Sequence, residues 1–158
     1  MVSLYNNQNH TTIRTQSDPS SQSAGLMDGM EQRKAYELFV KQKIEYDWFV
    51  SAFALAESDP QRPKGTKEEL DDIVAIMVDC ICTSAKTIRV GGQSMPASVV
   101  RSQFLKLNSE HIQYVFNRLY SCAGEISNIK AYMITVLYNA PLTMNTAFGM
   151  DFRATFGT

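Results

Sequence analysis

The chain has 158 residues, a formal net charge of −1 and 44% hydrophobic residues. This length suits one ordinary domain that can bury a core without a metal ion or disulfides. A net charge so close to zero excludes a general attraction of the whole chain to nucleic acid or to an acidic membrane. No run of about 20 apolar residues could cross a bilayer, and three cysteines predict free thiols in a reducing cytoplasm.

The first part of the chain differs in composition from the rest. Residues 1–29 are rich in Asn, Gln, Ser and Thr and have few apolar side chains. Such a segment buries too little apolar surface to offset the entropy lost on ordering, so we predict a disordered tail or a linker remnant. Residues 30–145 predict a compact all-α domain of five to six helices with one small β-hairpin. Residues 146–158 show no clear period, and we predict an irregular tail.

Two helical patterns occupy the first half of the predicted domain. Apolar residues spaced three and four apart from Ala35 to Leu55 predict one long helix or two abutting helices. The second pattern begins at Thr66, which forms a capping-box sequence with Glu69. Four acids in its first turns complement the positive end of the helix dipole. Its apolar stripe predicts a helix that ends near Ser84.

A break in the helical period follows. The β-branched residues in 87–90 precede Gly91-Gly92, a combination that predicts a short strand entering a tight hairpin turn. Pro96 suits the first turn of a new helix, which we predict to run to about Lys106.

Two further helices complete the predicted domain. Asn108 or Ser109 caps the first of them, because these side chains accept hydrogen bonds from the free N–H groups of a helix start. Ser127 or Asn128 caps the second, and we predict that Pro141 stops it.

The sequence contains few residues with the spacing of a catalytic or metal site. Cys80 and Cys82 lie about 200° apart on a helix, so one ion cannot readily bind both. His111 fits a solvated or capping histidine, because no recognisable nucleophile accompanies it. Gly91-Gly92 is not followed by the Lys-Ser/Thr pair of a phosphate-binding loop. We therefore predict no enzymatic activity, no catalytic residue, no metal site and no cofactor.

Charge is distributed unevenly along the chain. From Cys80 to Lys130 six basic residues occur with two acidic ones, a difference of +4. From Lys67 to Asp79 one basic residue occurs with five acidic ones, a difference of −4. One interpretation is a basic surface that contacts DNA phosphates or an acidic partner, and the other is that the charges spread over several solvated helix faces. The first interpretation assigns phosphate contact to Arg89, Arg101, Lys106 and Lys130.

Several strings of the sequence resemble one protein family. The main strings are residues 87–90, Phe104 to Ile112, Asn128 to Tyr132 and Leu137 to Pro141, and shorter ones at 44–47, 71–74, 96–100 and 114–115 fit the same family. They resemble the C-terminal domain of replication initiator A-like proteins of bacterial plasmids and integrative elements. The resemblance covers about residues 30–145. The last helix is also similar, more weakly, to the end of DnaD-type helical domains, which link initiators and primosome components to DNA.

The resemblance implies a role in starting the replication of a mobile element. In full-length relatives a winged-helix domain reads the origin, and a polar linker joins it to a C-terminal domain of this kind. No winged-helix pattern occurs here, so the resemblance implies a truncated gene, a stand-alone module or a cloned fragment. The expected function is a non-catalytic interaction module that recruits host replication initiation or primosome proteins, with contact to DNA phosphates as a secondary hypothesis. The alternative is a structural or oligomerisation remnant without DNA contact, and the oligomeric state stays open.

Overall fold

The computed structural model describes the backbone of residues 19–156 and the side chains of residues 28–144. Six helices and one hairpin make up this part of the chain. In order they are α1 (Pro19–Lys43), α2 (Tyr46–Phe53), α3 (Lys67–Cys82), β1 (Thr87–Val90), β2 (Gln93–Pro96), α4 (Ala97–Phe104), α5 (Ser109–Ser121) and α6 (Ile129–Phe156). The predicted class, mainly helical with one small hairpin, is confirmed.

The chain divides into two compact units, Met1–Lys34 and Ala35–Thr158. The described part of the first unit is the helical stretch 19–34. The second unit contains the rest of α1 and every later element, which enclose one apolar core. The largest side chains buried in that core are Val40, Ile44, Phe49, Leu70, Ile73, Met77, Ile81, Phe104, Leu107, Ile112, Phe116 and Leu137.

Helix α3 lies at the centre of the second unit. Its start has the predicted capping box, because Thr66 Oγ1 accepts from the Glu69 N–H (3.2 Å) and Glu69 Oε2 accepts from the Thr66 N–H (3.0 Å). Near its end, Arg101 Nε donates to the carbonyl oxygen of Ile81 (2.8 Å). Eight of its sixteen residues are buried, so α3 packs against neighbours over a wide arc.

Ile44 and Glu45 separate helices α1 and α2, and Glu45 has unusual backbone geometry. Glu45 has φ +59°, a left-handed conformation that few residues with a side chain adopt. Its carboxylate accepts a hydrogen bond from the Ser109 hydroxyl at the start of α5. Beside it, Tyr46 donates its hydroxyl to Asp71 of α3, which also pairs with Lys67 (2.8 Å). These bonds hold the break against α3 and α5, and the Lys67 and Tyr46 bonds lower the pKa of Asp71.

The predicted hairpin is confirmed. Strands β1 and β2 are antiparallel, with Ile88 opposite Met95 and Val90 opposite Gln93. Gly91 and Gly92 have φ +58° and +81°, and two successive positive φ angles are what a type I′ hairpin turn requires. The turn contacts α6, because the Gly91 N–H donates to Thr135 Oγ1 (3.0 Å).

The first helix begins earlier than the composition predicts. The predicted disordered tail, residues 1–29, lies partly outside the described residues, but residues 19–29 belong to α1. Extending an existing helix costs much less than nucleating one, and this favours helix through a polar stretch next to a formed helix. In the described part of the chain α1 begins at Pro19, and a proline in the first turn of a helix removes no hydrogen bond, because the N–H groups there have no partner in the helix.

The last helix does not stop at Pro141, so that prediction is wrong. Helix α6 continues to Phe156, and of the predicted irregular tail 146–158 the residues up to 156 are helical. Proline removes one hydrogen bond of the helix, but Leu137, Ala140 and Pro141 are all buried, and this packing holds the turn that contains the proline. Among the described residues no helix, α6 included, is long and apolar enough to cross a membrane.

Gly65 is expected to be essential for stability, because it precedes the cap of α3 in close contact with the core. Its φ is +113°, and a Cβ there would lie 2.5 Å from Cε1 of the buried Phe116. We expect Gly65→Ala to lower the free energy of unfolding by about 2–4 kcal/mol, the sum of backbone strain and overpacking. Denaturant unfolding monitored by circular dichroism measures this loss.

Gly92→Ala is the matched control for backbone strain alone. Gly92 has φ +81°, but a Cβ there would meet no atom within 4 Å. We expect this variant to lose only about 1–2 kcal/mol. Equal losses in the two variants would contradict a collision between residue 65 and Phe116.

Candidate binding groove

A groove of about 510 Å³ lies among α3, α5, α6 and the loop that joins the last two helices. Its floor is apolar, since Ile76 and Met133 are only 8% and 5% exposed. At its edges Tyr120 and Ile129 are 50% and 53% exposed. Apolar surface therefore runs continuously from the core to solvent at this place.

One wall of the groove is a single stripe along α3. The wall residues are Glu69, Asp72, Ala75, Ile76 and Asp79. Positions three or four apart lie on one helix face, so the intervals in 69, 72, 76 and 79 bring these side chains together. The stripe carries three carboxylates, and its middle, at residues 75 and 76, is apolar.

The opposite wall comes from the end of α5 and the start of α6. Leu119 and Tyr120 occupy the last turn of α5, and Ile126 lies in the connecting loop. Of the two predicted caps of α6, Ser127 and Asn128, the structure shows Asn128, whose Oδ1 accepts from the Ala131 N–H (3.1 Å). This cap sets the first turn of α6, from which Ile129, Lys130 and Met133 line the groove.

Two polar contacts cross the groove. At one end the Tyr120 hydroxyl donates to Glu69 Oε2 (2.7 Å). At the other, Lys130 Nζ lies 3.7 Å from Asp79 Oδ2. Residues 69 and 79 are ten positions apart, which is about 15 Å along a helix. The apolar middle of the groove lies between these two contacts.

The groove is acidic. Three carboxylates and one ammonium line it, which gives a formal charge of −2 (one minus three). Burial of the phenol, reinforced by the bond to Glu69, raises the pKa of Tyr120 to about 12. The charge of Arg62, which does not line the groove, acts on this pKa in the opposite direction. Tyr120 is therefore a neutral donor at physiological pH.

The four basic residues assigned to phosphate contact lie in different settings. Arg89 is on β1 and donates to the carbonyl of Gly92 within the hairpin (2.8 Å). Arg101 is half-buried on α4 and donates to the end of α3, and Lys106 is exposed in the turn after α4. Lys130 alone lies in the groove, where carboxylates outnumber it.

Lys130 and Arg101 contact different groups of α3. Lys130 pairs with Asp79 and Arg101 binds the carbonyl of Ile81. A common phosphate-binding face for all four residues stays a prediction, and the acidic surroundings of Lys130 oppose its part in it.

His111 acts as a capping residue. Asn108 Oδ1 accepts from the N–H groups of Glu110 (3.0 Å) and His111 (3.2 Å), and the Asn108 N–H donates to His111 Nδ1 (3.0 Å). Of the two predicted roles, solvated or capping, the structure shows the second. Burial lowers the pKa of His111, and only an unprotonated Nδ1 can accept this bond.

The three cysteines are free thiols in three environments. Cys80 is buried, Cys82 is half-buried and Cys122 is exposed. Burial raises the pKa of Cys80 to about 11, so this thiol stays protonated and packs as a small apolar group. Within residues 28–144 no three His, Cys, Asp or Glu side chains lie close enough to hold a metal ion.

A second cavity, of about 590 Å³, lies at the break between α1 and α2. Leu38, Trp48 and Tyr46 line it together with Lys41, Gln42, Glu45 and Asp47. Leu38 and Trp48 are exposed, while Lys41 pairs with Glu37 (2.8 Å) and lies 4.9 Å from the centre of the Tyr46 ring. One ammonium and two carboxylates line this cavity, a formal charge of −1 (one minus two), which is smaller than that of the groove.

The groove was not predicted from the sequence. Leu119, Ile129 and Met133 fit the inward faces of their helices, and nothing local shows that they open toward solvent. Two features of the sequence could have indicated it. Tyr120 widens the apolar face of its helix beside Leu119, and the acidic residues of α3 recur at positions 69, 72 and 79, outside the buried stripe of that helix.

Comparison with known proteins gives one family. The model of a family of unknown function, DUF6017, matches residues 8–153. This range includes every element from α1 to α5 and all but the last three residues of α6. No curated protein and no solved structure matches the chain.

Acidification is expected to destabilise the protein through His111. The folded pKa lies below the ordinary value of 6.5, so the unfolded chain binds the proton more readily than the folded one. The contribution of His111 to the free energy of unfolding is therefore fully present above pH 6.5. It is lost as the pH falls through 6.5 toward the pKa of the folded state. Urea midpoints at about pH 7.5 and about pH 5.5 measure the loss.

His111→Gln is the matched control for this titration. Glutamine at the same capping-box position offers an acceptor to the Asn108 N–H and does not titrate. We expect its midpoint to fall less between the two pH values than that of the unchanged chain. An equal fall would show that the pH dependence comes from other groups.

Proposed function

The chain belongs to this family of unknown function, and we propose that it is a non-catalytic interaction module of a mobile-element replication initiator. In this role it recruits a host replication initiation or primosome protein. The observation that carries the interaction part of the proposal is the apolar groove among α3, α5 and α6, which is open to solvent.

The exposed groove residues have the character of a protein-docking surface. A single exposed apolar side chain is ordinary on a soluble protein, but a continuous apolar strip with a polar rim is typical of interaction sites. Tyr120 and Ile129 lie at the edges and Ile76 and Met133 form the floor. An aromatic and aliphatic set of this kind supplies the anchors that dominate many protein interfaces.

The replication part of the proposal is supported by the resemblance of the sequence strings to initiator C-terminal domains. Phe104, Leu107 and Ile112 from one string and Leu137 from another are buried in the core. The strings therefore specify the helical framework that carries the groove.

A second candidate function is oligomerisation without DNA contact. Exposed Leu38 and Trp48 favour it, since they form a separate apolar surface at the break between α1 and α2. Light scattering separates the two functions: oligomerisation requires a molecular mass that rises with protein concentration, and recruitment of a host protein does not.

Affinity capture from a nuclease-treated host lysate tests the recruiting role. With the full 158-residue chain as bait, we expect a replication initiation or primosome protein to be enriched at least about tenfold over an unrelated helical bait. Quantitative mass spectrometry identifies the captured proteins, and nuclease removes those bridged by DNA. Enrichment without any replication protein among the captured set would refute the proposal.

A further inference from the structure

We propose that the groove among α3, α5 and α6 binds a basic amphipathic helix of the partner protein. This inference rests on the proposed function only for the identity of the partner, a host replication protein. It names the chemical class of the ligand and the side chains that select it.

The length of the groove along α3 matches about ten residues of a helix. Its apolar middle lies between the Tyr120–Glu69 and Lys130–Asp79 contacts, about 15 Å apart along α3, which is the length of a helix of about ten residues. Such a helix presents apolar anchors at every third or fourth position, and these side chains fill hydrophobic grooves in many complexes. Ala75 is exposed in the middle of the α3 wall, where its small side chain leaves room for them.

The charge of the groove selects a basic ligand. Glu69 and Asp79 already contact Tyr120 and Lys130, whereas Asp72 is exposed on the same stripe between them. A lysine or arginine beside the anchors of the ligand would approach Asp72. Exposed pairs of this kind add little affinity, but complementary charge speeds association and rejects ligands of the wrong sign. Nucleic acid is such a ligand, because its phosphates would meet a surface of formal charge −2.

A pair of synthetic peptides provides the probe. Each has about 18 residues, leucines at helical i, i+3, i+4 and i+7 spacing, and either lysines or glutamates at the flanking positions. Fluorescence anisotropy with labelled peptide measures binding to the full chain. We expect the lysine peptide to bind at least about tenfold more tightly than the glutamate peptide at low salt.

Three variants locate the binding. Ala75→Arg places a long cation in the middle of the groove, and we expect it to weaken binding of the lysine peptide at least about tenfold. Asp72→Asn removes one rim charge and is expected to weaken it about two- to fivefold. Glu68→Gln is the matched control, because Glu68 is exposed on α3 but does not line the groove, and we expect no change. Arginine is a good helix former, and circular dichroism confirms that the Ala75 variant is folded.

Three results would overturn the inference. They are equal affinity for the two peptides, unchanged binding by Ala75→Arg, and self-association of the chain that Ala75→Arg abolishes. The last would show that a second copy occupies the groove.

Repeating the lysate capture with the Ala75→Arg bait separates this inference from the proposed function. If both baits enrich the same replication protein equally, the recruiting role stands and the groove is not its site. If the peptides behave as expected but no replication protein is captured, the groove stands as a basic-helix site and the replication role is refuted.

Discussion

The burial of α3 is the interaction on which the rest of the structure depends. Leu70, Ile73, Met77 and Ile81 face the core and set the rotation of the helix about its axis. One residue of shift would rotate every α3 side chain by about 100°. The rotation that buries these four side chains also presents the 69–72–76–79 stripe to the groove. The core and the candidate site therefore share one geometric determinant.

Features set by a few neighbouring residues could be predicted from the sequence. A capping box at Thr66, a helix cap at Asn108 or Ser109 and a hairpin turn at Gly91-Gly92 are predictions of this kind, and the structure has the box, the cap at Asn108 and the turn. The outer ends of α1 and α6 could not be predicted in the same way. They depend on helix propagation and on the packing around Pro141, which a local window does not contain.

The groove could not be predicted from the sequence, because residues that are far apart in the chain form it. Tyr120 and Glu69 are 51 positions apart, and Lys130 and Asp79 belong to elements separated by the hairpin and two helices. Charge counted along the chain left two interpretations open for the segment from Cys80 to Lys130: a basic contact surface, or charges spread over several solvated helix faces. In the folded protein, however, Arg101 binds a carbonyl oxygen and Lys130 lies beside Asp79. The acidic residues of α3 give the candidate site its negative charge.

One oxygen atom belongs both to the start of α3 and to the groove. Glu69 Oε2 accepts from the Thr66 N–H, which completes the capping box, and from the Tyr120 hydroxyl, which closes one end of the groove. A ligand that displaces the Tyr120 hydroxyl leaves this oxygen with one donor fewer, and a ligand that retains it buries the bond more deeply. Occupancy of the groove and fraying of the first turn of α3 are thus thermodynamically linked, and by reciprocity the stability of that turn contributes to the affinity for the ligand.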